Sequence, residues 1–221
     1  MAVVLYFWKI SSSVIPRAIW KMASDRRAIR RIDGVTFSKL LGCGYGVTFT
    51  PTDADFHRWG LLVCIADENI GLLDRSKAIE KWQVISDSEF RVILDPISSH
   101  GLWSNVQPFK LTSANNLPSE PLIAITRARI APRRYLTFLK AVPGVVSQLH
   151  SAPGLIRAFG IGEAPIGLQG TFSMWRDEAS LLDFAFRDSG HMDAIKGSHR
   201  GKWFSEELFA RFSVREMRGS L

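Results

Sequence analysis

The order of predicted strands and helices in the second half of the chain limits the possible folds most strongly. Runs rich in β-branched and aromatic residues predict strands at 122–130, 155–161, 168–175 and 208–214. Apolar residues at helical spacing follow Pro132 and Asp177. The resulting order, strand–helix–strand–strand–helix–strand, is the split βαβ motif of ferredoxin-like folds.

The first half repeats this order with similar short motifs at a nearly constant distance, which is typical of a duplicated unit. We therefore expect an α+β fold made of two ferredoxin-like βαββαβ repeats, residues 1–95 and 122–221, joined by a linker at 96–121. If the repeats pack their open sheet faces together with the helices outside, they form a sandwich like the dimeric α+β barrels, with a lined cavity.

The composition is that of a globular protein with a basic surface. The 14 Phe and 7 Trp residues suit an apolar core or an apolar ligand pocket. The net charge of +7 favours anionic partners. No apolar run is long enough to predict a membrane span. Cys43 and Cys64 lack metal-site or disulfide-framework spacing, so we expect reduced thiols in a cytoplasmic protein.

A basic run at 26–31 (RRAIRR) places like charges one helical turn apart twice, which is slightly unfavourable unless an anion offsets it. An anionic lipid surface or an acidic redox protein would supply that anion. A solvated helix face is the alternative interpretation.

Familiar catalytic motifs are missing from the sequence: it has no HExxH, GxSxG, P-loop or zinc cluster. The glycines at 42–46 precede another predicted strand rather than a helix, so they indicate close approach of a ligand or of backbone, not a dinucleotide site. His191 could ligate a haem iron, with Phe184 and Trp203 in the wall of the cavity. A surface histidine is the alternative.

Several motifs resemble those of the spheroidene monooxygenase family. In the second half they lie at 126–133 (TRARIAPR), 160–165 (GIGEAP), 169–175 (QGTFSMW), 191–195 (HMDAI) and 203–212 (WFSEELFARF). In the first half, GCG at 42–44, FTP at 49–51, GLW at 101–103 and PF at 108–109 fit the same pattern. The resemblance covers nearly the whole chain, and the order of the motifs makes it specific.

This resemblance implies a haem-containing monooxygenase that introduces keto oxygen at the end of an acyclic carotenoid, using O2 and external electrons. It makes His191 the expected iron ligand. Arg127, Arg129 and Arg211 could pair with the haem propionates, because guanidinium groups match carboxylates; arginines directed to solvent are the alternative. Phe209 stands where relatives often carry tyrosine, so no proton transfer is assigned there.

The expected partners are an apolar, carotenoid-like substrate and an electron donor such as ferredoxin. We also expect peripheral contact with an anionic membrane, the inner membrane. Two other functions stay open: a cofactor-free or haem-degrading α+β barrel oxygenase, and a carrier of haem or carotenoid without chemistry. Nucleic acid is not expected, because the aromatic signature of RNA-binding βαββαβ domains is missing.

Overall fold

The computed structural model describes residues 1–48, 50–111, 120–130, 133, 146–166, 169–187 and 204–221. The elements of the first half are β1 (Ala2–Lys9), α1 (Ile15–Ser24), α2 (Arg26–Arg30), β2 (Val35–Gly44), β3 (Ala54–Ile65), α3 (Ile70–Asp74), α4 (Lys77–Ile85) and β4 (Ser88–Gly101). Those of the second half are β5 (Leu122–Ile130), β6 (Leu155–Gly162), β7 (Gly170–Trp175), α5 (Glu178–Arg187) and β8 (Phe204–Gly219), with residues 146–151 also helical.

The eight strands form one closed barrel in the order β1-β3-β2-β6-β7-β5-β8-β4. Each half contributes four neighbouring strands, β4-β1-β3-β2 from the first and β8-β5-β7-β6 from the second. The prediction of an α+β fold with two ferredoxin-like repeats is therefore confirmed. The repeats are also hydrogen-bonded edge to edge, because this pairing satisfies backbone groups that an open sheet edge would leave without partners.

The two seams that close the barrel differ in length. β4 and β8 pair through eleven residue pairs, from Phe90 with Gly219 to Gly101 with Leu208. β2 and β6 pair only at Gly42 with Gly162 and at Cys43 with Ile161. A Cβ atom on Gly42 would lie 2.4 Å from the carbonyl oxygen of Ala164, so no side chain fits at this seam. Gly42 therefore allows the backbone of β2 to approach the backbone at Ala164 closely.

The middle of the barrel is filled by aromatic side chains rather than hollow. The ring centroid of Phe7 lies 5.0 Å from that of Phe159 and 5.1 Å from that of Phe172. Phe159 and Phe172 are themselves stacked at 4.9 Å. These residues belong to a buried cluster with members from all eight strands. Three large rings thus meet at the centre of the barrel, where the sequence predicts a lined cavity.

Helices cover the outer faces of both sheets. On the first sheet, Ala18 and Met22 of α1 and Ile29 of α2 pack in a cluster with Trp8 and Trp82, whose rings stack at 5.0 Å. On the second sheet, α5 contributes Leu181 and Phe184 to a smaller cluster that contains Trp175. Among the described residues, no helix combines the length and apolar character needed to cross a bilayer.

Two strands extend beyond their predicted bounds. β4 continues to Gly101, into the segment expected to be the linker, and β8 runs from Phe204 to Gly219. Because the two strands pair with each other, long-range hydrogen bonding continues them where the local pattern is weak. The limits of the two repeats stay a prediction, and most of the linker and of the helix expected after Pro132 lies outside the described residues. Both cysteines are buried and free, as expected.

We expect Phe172→Ala to lower the free energy of unfolding by about 3 to 5 kcal/mol, because it leaves a cavity among the packed rings. Phe209→Ala removes the same atoms from a side chain that is 39% exposed, and we expect a loss of less than about 1 kcal/mol. Urea titration of both variants measures the difference. Equal losses in the free energy of unfolding would show that packing of the central rings contributes no more to stability than a partly exposed ring does.

Candidate functional site

A group of charged side chains lies at one end of the barrel interior. Arg127 comes from β5, Glu206 from β8 and Lys39 from β2, while Glu163 directly follows β6. Trp103, just after β4, belongs to the buried cluster inside the barrel. Five separate parts of the chain thus supply this group, called the charged cluster below.

Arg127 is the centre of the charged cluster. It follows Ile123 and Ile125 at every second position of β5, so its side chain lies on the inner face, and it is only 3% exposed. Its Nη1 donates to Glu206, and its Nη2 donates to Oε1 of Glu163 at 3.0 Å. The guanidinium carbon lies 5.5 Å from the ring centroid of Trp103. Two carboxylates and an aromatic ring therefore compensate this buried charge.

Glu163 links three of the other members. Its Oε1 accepts a hydrogen bond from Nε1 of Trp103 at 2.7 Å, and its Oε2 accepts one from Nζ of Lys39 at 2.5 Å. Burial opposes ionisation of this carboxyl group, but the bonds from Lys39 and Trp103 and the nearby positive charges outweigh burial and lower its pKa. Glu163 is therefore an anion at neutral pH.

Glu206 holds a turn with an unusual backbone. Ser104 and Asn105 have φ angles of 57° and 62°, a left-handed conformation that costs energy for residues other than glycine. Their amide groups donate to the Glu206 carboxylate at 3.1 and 2.7 Å. Burial raises its pKa, but these backbone bonds and Arg127 outweigh burial, so the net pKa is lowered. The carboxylate thus fixes the turn that carries Trp103.

A small recess lies beside the charged cluster. Its space of about 10 Å³ has room for no more than a water-sized group. The recess is partly open to solvent and is lined by Leu41, Trp103, Arg127, Ile161, Gly162, Glu163, Gln169 and Gly170. Typical small-molecule pockets are far larger, so a ligand can enter here only if neighbouring side chains move. The walls of the recess are apolar residues and glycines, with charged groups at one side.

The structure separates the residues predicted to bind a cofactor. Arg127 lies on the inner face of the sheet, and Arg129 lies further along the same strand and is exposed. Arg211 lies on the outer face, where its Nη1 donates to Glu178 of α5 at 2.8 Å. Phe184 is on the same outer side, 5.3 Å from Trp175 between ring centroids. His191 and Trp203 lie outside the described residues.

These positions do not form a haem site within the described part of the chain. The guanidinium groups of Arg127 and Arg211 are already paired with carboxylates, and they lie on opposite faces of one sheet. The two arginines therefore do not face a common ligand in this structure. The role of His191 as an iron ligand stays a prediction.

Of the other possible iron ligands among the described residues, His100 is exposed on β4, and the rest are engaged or buried. Nδ1 of His57 lies 2.9 Å from the carbonyl oxygen of Ile10, and Nε2 of His150 bonds to that of Gly46. Burial raises the pKa of the Cys43 thiol and raises that of Cys64 to about 12, so neither is a ready thiolate. The described residues contain no group of three or more His, Cys, Asp or Glu that could hold a metal ion.

Sequence reasoning missed Lys39, Trp103, Glu163 and Glu206. Three of the four lie inside motifs that carry the family resemblance, at 101–103, 160–165 and 203–212. A charged residue within an apolar motif is the signal that could have marked Glu163. Glu206 stands next to Glu207 in its motif, so the sequence alone does not single it out. Lys39 has no comparable signal, because nothing local indicates which acid it faces.

We expect Glu206→Gln to lower the free energy of unfolding by about 2 kcal/mol at neutral pH, because Arg127 then keeps only one of its two carboxylates. The pKa of Glu206 is below its ordinary value of 4.5 in the folded chain, so its contribution is present above that value and is lost as pH falls. The decline of stability between about pH 5 and pH 3 is therefore shallower in the variant.

Urea unfolding at several pH values measures both effects, and Glu80→Gln is the matched control. Glu80 is exposed on α4 and forms no ion pair with a described residue, so its removal should cost less than about 1 kcal/mol. If Glu206→Gln behaves like the control, the pairing with Arg127 contributes nothing to stability.

Comparison with known proteins identifies relatives along most of the chain. The chain is 32% identical over 212 residues to spheroidene monooxygenase of Rhodobacter capsulatus, covering 95% of this chain and 88% of the relative. It is 32% identical over 191 residues to spheroidene monooxygenase of Rubrivivax gelatinosus, covering 84% and 71%. No family model matches the chain.

A solved structure of aldoxime dehydratase has a similar fold, with a TM-score of 0.60 over 96% of this chain and 80% of that chain, at 12% identity. This likeness concerns the fold alone. The sequence relatives carry the assignment: the chain belongs to the spheroidene monooxygenase family and is a monooxygenase, that is, an oxidoreductase.

Proposed function

We propose that this monooxygenase inserts oxygen from O2 into an acyclic carotenoid or a similar long apolar substrate, with haem as its cofactor. The observation that carries the proposal is the meeting of family motifs at one end of the barrel: Trp103, Arg127, Glu163 and Glu206 come from four such motifs and contact one another. Motifs far apart in sequence meet where the recess opens.

In this proposal, one end of the substrate enters at the recess when neighbouring side chains move apart. Leu41 and Ile161 offer apolar contact, and the glycines at 162 and 170 allow the chain of the substrate to approach the backbone. Arg127 and Glu163 form a fixed dipole beside it that can orient a polar end group. Most of the long apolar molecule would lie outside the recess, against parts of the protein next to it.

Haem, when bound, would activate O2, and one oxygen atom would enter the substrate while the other leaves as water, so external electrons are needed. Since the described residues do not form its site, the proposal for haem rests on the family resemblance and on His191. An electron donor such as ferredoxin would supply the electrons. The net charge of +7 suits an acidic donor and peripheral contact with an anionic membrane at the cytoplasmic side.

The first experiment combines turnover with a substitution in the recess. Protein supplied with haem, reductant, an acyclic carotenoid and isotope-labelled O2 should yield a product that contains labelled oxygen. Ile161→Phe fills the recess and should lower kcat/KM about tenfold or more. Ile156→Phe changes an exposed residue of the same strand and should leave kcat/KM unchanged. Product measured by mass spectrometry without the label would contradict the proposed reaction.

The second experiment tests the cofactor by visible absorption spectroscopy. We expect a Soret band in protein expressed with haem supply, and a lost or shifted band in His191→Ala. His100→Ala is the control, because His100 is exposed and lies on β4. A band unchanged in His191→Ala would place the iron ligand elsewhere. A folded wild-type protein without a band would overturn the haem proposal, and breakdown of haem on adding reductant would indicate a haem-degrading oxygenase.

A further inference from the structure

We propose that the outer face of α1 and α2 docks this protein on an anionic lipid membrane. The docking face consists of exposed residues with apolar or positively charged side chains: Arg17, Ile19, Trp20, Arg27 and Arg31. This docking rests on the proposed function, because a long apolar substrate dissolves in the membrane.

The packing of the two helices determines where this face points. Ala18 of α1 and Ile29 of α2 are buried against the outer side of the first sheet. Trp20 follows Ala18 by two residues, which is a rotation of about 200° around the helix, so it points away from the barrel. Arg27 and Arg31 lie two residues before and after Ile29 and point away for the same reason. Both helices therefore present this face outward.

Trp20 differs from the other tryptophans that the structure describes. Its side chain is 72% exposed, whereas Trp8, Trp59, Trp82, Trp103 and Trp175 are each 1% exposed or less. Its neighbour Ile19 is 42% exposed. Tryptophan favours the boundary between water and hydrocarbon, where its ring is buried and its N–H group stays hydrated. An exposed Trp–Ile pair is therefore suited to insert at a membrane surface.

The charge of the two helices fits an anionic surface. Residues 15–31 contain six basic residues and one acidic residue, Asp25, which is bound by Lys21 at 2.7 Å. Of the basic residues, Arg17, Arg27, Arg30 and Arg31 form no ion pair with any residue that the structure describes. Repulsion between Arg27 and Arg31, one turn apart, would be relieved by lipid phosphate groups.

The combination of features favours a membrane over an acidic redox protein. Charge alone would serve either partner, but an apolar pair surrounded by arginines is the pattern of helices that lie in the membrane interface. The docking face is also close to the charged cluster: α2 contacts β2, and Nη2 of Arg26 donates to the carbonyl oxygen of Glu163 at 3.0 Å. Docking would thus place the recess region near the source of the substrate.

Co-sedimentation of the full chain with lipid vesicles tests the proposal without substrate or turnover. We expect binding to vesicles of phosphatidylcholine with phosphatidylglycerol at low salt, and little binding to phosphatidylcholine alone. Arg27→Gln with Arg31→Gln should weaken binding about thirtyfold, from the contribution of each arginine near an anionic surface. Trp20→Ser should weaken it about tenfold through lost apolar burial.

Matched controls change the same chemistry elsewhere. Lys110→Gln with Arg157→Gln removes two exposed charges, and Ile156→Ser removes an apolar side chain that is 53% exposed. We expect both to bind like wild type. Turnover of a detergent-dissolved substrate should be unchanged in the docking-face variants, so failure of docking and failure of the proposed reaction are distinguishable.

Three outcomes would overturn the proposal: no sedimentation of wild type with anionic vesicles, controls that lose as much binding as the docking-face variants, or full binding by Trp20→Ser. If vesicles are not bound and the arginine variants instead slow reduction by an acidic electron-transfer protein, the face belongs to that protein and the membrane proposal is wrong.

Discussion

Backbone hydrogen bonds between β4 and β8 join the two repeats through eleven residue pairs. Each repeat alone would expose two sheet edges and one apolar sheet face. Edge pairing turns both apolar faces toward each other and buries them in one core with members from all eight strands. The second seam has only two residue pairs, because β2 and β6 meet only near their C-terminal ends. The recess lies beside this short seam.

Closure of the barrel also brings the residues of the charged cluster together. A buried arginine is costly unless it is paired and hydrogen-bonded. Here Arg127 meets Glu163 and Glu206, and Lys39 balances the second negative charge, so two positive and two negative groups face one another. Glu206 also holds the left-handed turn at Ser104 and Asn105. The cluster thus connects strands of both repeats and positions Trp103 at the recess.

Part of the candidate site was accessible from the amino-acid sequence. The family motifs marked the right segments, and Arg127 was selected within one of them. Its assigned partner, a haem propionate, has no support among the described residues, because a motif gives neighbours along the chain and not the residues that face it across a barrel. The structure also does not bring Arg211 and Arg127 together: their strands are adjacent, but the two side chains lie on opposite faces of the sheet.

Periodicity and residue type were sufficient for the described strands and helices and for their repeated order, because these depend on interactions between near neighbours in sequence. The basic run at 26–31 was also visible in the sequence. Contacts between distant segments set the rest: closure of the sheets at their edges, the filling of the barrel by Phe7, Phe159 and Phe172, and the pairing of Arg127 with two glutamates. Such contacts depend on register and on strand order, which no local pattern encodes.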